Sequence, residues 1–101
     1  MSRKLAITPR AAQEVRRAAA ASGAEGLALR VAAKREADGS VQLGIGFDEE
    51  RTNDELIEMA GVTLLVSHHS RDMLEDMVLD FVELDSGEPG FVVRQAPDDA
   101  A

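Results

Sequence analysis

Apolar and polar positions change their spacing several times along the chain. Leu5-Ala6-Ile7 reads as a short extended segment. Thr8 then suits a helix N-cap, because its hydroxyl accepts from an orphan N–H of the first turn. Pro9 suits the first helical position, where its missing N–H costs nothing. From Pro9 to about Ala21, Ala11, Ala12, Val15, Ala18 and Ala19 fall on one helical stripe. Arg10–Glu14 and Glu14–Arg17 have the spacing of surface pairs, and Gly23 supplies the stop. The stripe is mostly Ala, so this helix packs closely and buries little area.

The period then becomes two. Leu27, Leu29 and Val31 alternate with Ala28, Arg30 and Ala32, and Val41, Leu43, Ile45 and Phe47 alternate with Gln42, Gly44 and Gly46. Both stretches predict strands with one buried face, and Asp38-Gly39 between them is a hairpin signal. Residues 48–60 are polar and acidic and read as a solvated loop, with a short extended piece at Leu56-Ile57. Val62-Thr63-Leu64-Leu65-Val66 is nearly continuous in hydrophobicity, which predicts a strand covered on both faces. Ser70 is placed to cap a short helix running to about Met77. Val78 to Leu84 is a further strand, Asp85 to Gly90 a turn cluster, and Phe91-Val92-Val93 the last strand. The expected fold is mainly β, with α+β as the alternative. It is a two-layer sandwich of five or six short, largely antiparallel strands, with one N-terminal helix and one short helix near 70–77. Residues 1–97 make one domain, and 98–101 form a polar tail expected to be disordered.

Composition narrows the function. The 101 residues carry a net charge of −8 and no cysteine. Residues 1–35 hold eight basic and two acidic side chains, whereas residues 36–101 hold three basic and seventeen acidic. An acidic chain repels polyanions, so nucleic acid is not an expected partner. No apolar run approaches the roughly 18 residues of a membrane span, and Leu5-Ala6-Ile7 is too short for a signal-peptide core. These features predict a soluble, cytoplasmic protein without membrane contact. The uneven charge suits contact with a protein partner through complementary patches.

The candidate chemistry is sparse. His68-His69-Ser70-Arg71-Asp72 contains the residue types of a hydrolase triad, but neighbours in sequence cannot face one another as triad members do. No G-x-S-x-G elbow occurs. His68 and His69 also lack the i, i+4 spacing that sets two imidazoles on one helix face to share a metal. Gly44-Ile45-Gly46 sits inside a strand, without a following helix or a third glycine, so it does not read as a phosphate loop. The run Asp48 to Glu55 lacks calcium-loop spacing. Met1, Met59, Met73 and Met77 read as core filler. The residues therefore predict no catalytic constellation, no metal site and no cofactor.

The order of motifs resembles a family. Leu5-Ala6-Ile7-Thr8-Pro9-Arg10-Ala11-Ala12, Gly26-Leu27-Ala28-Leu29-Arg30-Val31, Gly61-Val62 with the β run after it, Leu79-Asp80-Phe81-Val82, and Gly90-Phe91-Val92-Val93 with Pro97 are similar in order and spacing to the A-type iron–sulfur carriers, the HesB-like or IscA-like domain. The Leu79-Asp80-Phe81-Val82 block is the most specific piece. The family's working residues are three cysteines. One follows the first long strand, and two form a C-G-C pair just after the closing N-P. Here the first cysteine's position holds Asp38, within Ala37-Asp38-Gly39-Ser40, and the chain ends at Ala101, where the C-G-C tail would begin.

Cluster iron is held by thiolates, and one harder carboxylate does not replace three of them. The resemblance therefore implies the family's fold without its ligands, and a non-enzymatic protein acting by protein contact. The alternative is a cluster or iron carrier whose ligands come from a partner or a small thiol. The Asp-Gly-Ser turn, Gly46-Phe47-Asp48 and Leu79 to Leu84 look most like the DsrR-like branch associated with sulfur oxidation, which implies an accessory or regulatory role in sulfur metabolism or cluster assembly.

Overall fold

The computed structural model describes residues 4–96. The expected domain limit at 97, the tail at 98–101, Met1 and Pro97 of the closing motif lie outside the described residues. The element order is β1 (Ala6–Ile7), α1 (Pro9–Ser22), β2 (Ala28–Arg35), β3 (Val41–Asp48), β4 (Glu55–Met59), β5 (Val62–Val66), α2 (Arg71–Leu74), β6 (Met77–Glu83) and β7 (Pro89–Gln95).

Local chemistry sets the first helix. Thr8 is extended, and its hydroxyl accepts from the Ala11 N–H at 3.1 Å. Gly23 closes α1 at φ 72°, a left-handed conformation that suits glycine. Ala11, Ala12, Val15 and Ala19 are buried along one stripe, as their spacing predicts. Glu14 pairs with Arg17, and Arg10 stands over the Phe81 ring, 6.0 Å from its centroid.

The strands form two sheets, ordered β1-β6-β7 and β3-β2-β5-β4. Three pairings are antiparallel, β2–β3, β4–β5 and β6–β7. β1–β6 and β2–β5 are parallel. Leu29, Val31, Ala33, Ile57, Val62, Leu64 and Val66 from the larger sheet meet Ile7 and Leu79 from the smaller one, with Leu5 and α1, in a shared core. β5 is covered on both faces. Val62, Leu64 and Val66 point into this core, while Leu65 is fully buried from the other side.

Three local expectations change. Residues 55–59 form a full edge strand, where a loop with an extended piece at Leu56-Ile57 was expected. Only Ile57 of this strand is buried, so the alternation is almost invisible in hydropathy. Second, α2 stops at Leu74 rather than about Met77. Glu75 is extended and Asp76 is left-handed at φ 62°, so the chain turns directly into β6. Third, the Ser70 hydroxyl makes no capping bond to α2. With β1 and β4 counted, the described residues contain seven strands.

Candidate functional site at the β2–β3 turn

β2 and β5 run parallel, with Val31 beside Val66, so their carboxyl ends lie together. From that end β2 continues into the 36–40 turn, and β5 into Ser67-His68-His69-Ser70. α2 packs back on β2. Two residues later the Asp76 carbonyl accepts from the Ala96 N–H at 2.8 Å, which brings the last described residue to the start of β6. One end of the molecule thus gathers the Asp38 turn, the histidine pair and the last described residue, Ala96.

Asp38 is committed locally. Its Oδ1 accepts from the Ser40 hydroxyl at 2.6 Å and from the Ser40 N–H at 2.9 Å. Gly39 supplies φ 92°, and the Glu36 N–H donates to the Ser40 carbonyl at 2.8 Å. This is an aspartate-closed turn, in which the side chain takes the place of a backbone acceptor. The Ser40 hydroxyl, then the Ser40 N–H, holds the Asp38 carboxyl below its ordinary range.

The loop after β5 is tied down by Ser70, which is only 3% exposed. Its Oγ accepts from the Ala33 N–H at 3.0 Å and donates to the Ala33 carbonyl at 3.2 Å. Ser67 Oγ donates to it at 3.1 Å. His68 and His69 are exposed, with their rings edge to face and 5.6 Å between centroids. Among the described residues no three His, Cys, Asp or Glu side chains are grouped to hold a metal ion. Beside this end lies a cavity of about 280 Å³ lined by Lys4, Leu5, Glu55, Arg71 and Glu75 among others. Lys4 Nζ stands 3.6 Å from Glu55 within it. The donors here are oxygens and imidazoles, with no thiolate among them.

The acidic run is not simply solvated, as its composition suggested. Arg30 projects from the outer face of β2. It donates to Asp48 Oδ2 at 2.8 Å, and with both terminal nitrogens to Asp54, at 2.7 and 2.9 Å. The Asp54 side chain is 4% exposed. The forked pair with Arg30 is the main reason its carboxyl falls to about 2. The signal was Arg30 inside the otherwise small or apolar stretch 28–33, with two aspartates whose distance in sequence hid the pairing. Gly44 and Gly46 lie beside this cluster and border a shallow hollow of about 190 Å³ on an edge strand. Met73 and Met77 pack on the core, whereas Met59 is 39% exposed and does not act as filler.

No helix among the described residues is long and apolar enough to cross a membrane. Residues 3–88 match the iron–sulphur cluster biosynthesis family. The chain is 36% identical over 95 residues to the iron–sulfur cluster insertion protein ErpA of Stenotrophomonas maltophilia strain K279a, covering 93% of this chain and 72% of that protein. The ErpA of strain R551-3 matches to the same extent. In fold it is similar to Escherichia coli SufA, involved in biosynthesis of iron–sulfur clusters, with a TM-score of 0.73 at 19% identity over 97% of this chain and 90% of that one. It is also similar to IscA with the [2Fe-2S] cluster, with a TM-score of 0.72 at 21% identity over 90% and 84% of the two chains. The motif order, the two-sheet fold and these matches agree: the chain belongs to the iron–sulfur cluster biosynthesis family, as an A-type, HesB/IscA-like protein without cysteine.

Proposed function

We propose that this chain keeps the family scaffold without cluster ligation, and acts by protein contact in sulfur metabolism or iron–sulfur cluster assembly, in an accessory or regulatory role and without turnover of its own. The observation that carries this reading is Asp38. At the position that the motif resemblance assigns to the family's first cysteine, a carboxylate closes its own turn through Ser40. Iron in a sulfide environment selects soft thiolates, and the 101 residues contain none.

Anaerobic reconstitution of the 101-residue chain with iron and sulfide tests it. The expected product after desalting has no visible charge-transfer absorption and no stoichiometric iron. Stoichiometric iron retained with such absorption overturns the proposal.

A second reading draws on the 36% identity to a cluster insertion protein. In it the chain carries iron or a cluster with ligands supplied by a partner or a small thiol. Iron present in a purified complex and lost from the isolated chain supports that reading. Iron absent from both removes it.

A further inference from the structure

The outer face of the larger sheet, away from the core and the β2–β3 turn, carries an open groove of about 510 Å³. Its floor sets exposed leucines beside Ala28 and Thr63. Leu27 and Leu56 line it while 41% and 40% exposed, above the fully buried Leu65. Its rim is acidic, with Glu25, Glu49 and Glu50. The nearby cations are already engaged, because Arg30 is held by Asp48 and Asp54, and Arg51 donates to Asp48 at 3.0 Å. None of the ion pairs among the described residues engages Glu25, Glu49 or Glu50. Leucines left in water beside unneutralised carboxylates describe a surface awaiting a complement that is apolar and cationic together.

We infer that this groove docks a segment of a partner protein in which leucine-sized side chains alternate with Lys or Arg. The apolar side chains lie on Leu27 and Leu56, and the cations meet Glu25, Glu49 and Glu50. Charge complementarity selects this occupant. A second copy of the chain brings a net charge of −8. Its basic helix has little to offer the floor, since Ala11, Ala12, Val15 and Ala19 are buried in its own core and Arg16 and Arg17 already bond Ala60 and Glu14. The inference rests on the proposal that the protein works by contact, and it specifies where and with what chemistry.

The test titrates the isotope-labelled chain with a short synthetic peptide of alternating Lys and Leu, and with Glu/Leu and Lys/Ser counterparts. Amide shifts give the location and fluorescence anisotropy the affinity. The expected result is saturable binding of the Lys/Leu peptide alone, with shifts centred on Leu27, Ala28, Thr63 and Leu65. Glu49→Lys with Glu50→Lys, and separately Leu56→Ser, each weaken it by about tenfold. The charge-matched control Glu83→Lys with Glu88→Lys, at the end of β6 and in the β6–β7 turn, leaves it unchanged. Shifts elsewhere, equal loss in the control, no saturation, or dilution-dependent shifts at these residues that mark a second copy as the occupant all overturn the inference. Because reconstitution with iron is read separately, a groove that fails leaves the cluster-free reading standing, and a cluster that forms leaves the groove standing.

Discussion

Ser70 and Ala33 are 37 residues apart, and one hydroxyl serves both backbone groups of Ala33. The parallel β2–β5 register reaches Val31 and Val66, and beyond it the Ala33 N–H and carbonyl on that side turn to Ser70. The hydroxyl thus extends the sheet edge and anchors the histidine loop in one contact.

Removing that oxygen leaves a buried donor and a buried acceptor without a partner. Ser70→Ala is therefore expected to lower stability by about 2–3 kcal/mol, read from the urea midpoint. A loss confined to a few tenths would show that water replaces the hydroxyl there.

Acid stability should report the Arg30 cluster. The forked bond from Arg30 holds Asp54 down to about 2, against an ordinary 3.8. The folded chain therefore takes up that proton less readily than the unfolded chain. Its contribution is whole above the unfolded value and drains as pH falls through about 2. Asp48, held down chiefly by Arg30, and Asp80, held down chiefly by the Thr8 hydroxyl, move in the same direction. Asp54→Asn is expected to cost about 1–3 kcal/mol at neutral pH and to flatten the acid limb of the stability profile. Urea midpoints measured from neutral pH downward check both effects, and an unchanged acid limb would show that other carboxylates govern it.

The β4–β5 turn offers a gain. Ala60 and Gly61 both have positive φ, 56° and 78°, as a two-residue hairpin of right-handed strands requires. Alanine pays roughly 1 kcal/mol for that conformation, and asparagine tolerates it. Ala60→Asn is expected to raise stability by about 0.5–1 kcal/mol, visible as a higher melting temperature. The Arg16 bond survives, because it goes to the backbone carbonyl of residue 60. No gain would mean that this bond already sets the turn.

Elements whose burial is one-sided and regular were legible in the sequence. Thr8-Pro9 and the alanine stripe mark α1, the alternation around Asp38-Gly39 marks β2 and β3, and the unbroken run from Val62 marks β5. β4 was hidden because a single inward Ile57 gives no period, and Ala60-Gly61 is not among the strong hairpin signals. α2 was overdrawn because the left-handed turn at Asp76 has no hydropathic trace. At the candidate site, the Asp38–Ser40 closure is local and its residue types announce it. The Ser70–Ala33 and Arg30–Asp54 bonds span 37 and 24 residues, and only the folded sheet brings them together.

The two-residue β1 has a consequence for the order of assembly. Ala6 and Ile7 find their partners in Val78 and Leu79, and Thr8 bonds Asp80 across 72 residues. During synthesis, then, β1 waits for the β6 segment, some seventy residues later, before it has a sheet to join. The helix that follows it stays undocked along its β6 side until β6 has been made. Such long-range closure makes folding slow and leaves the alanine stripe open to water, and to chaperones, until β6 is available.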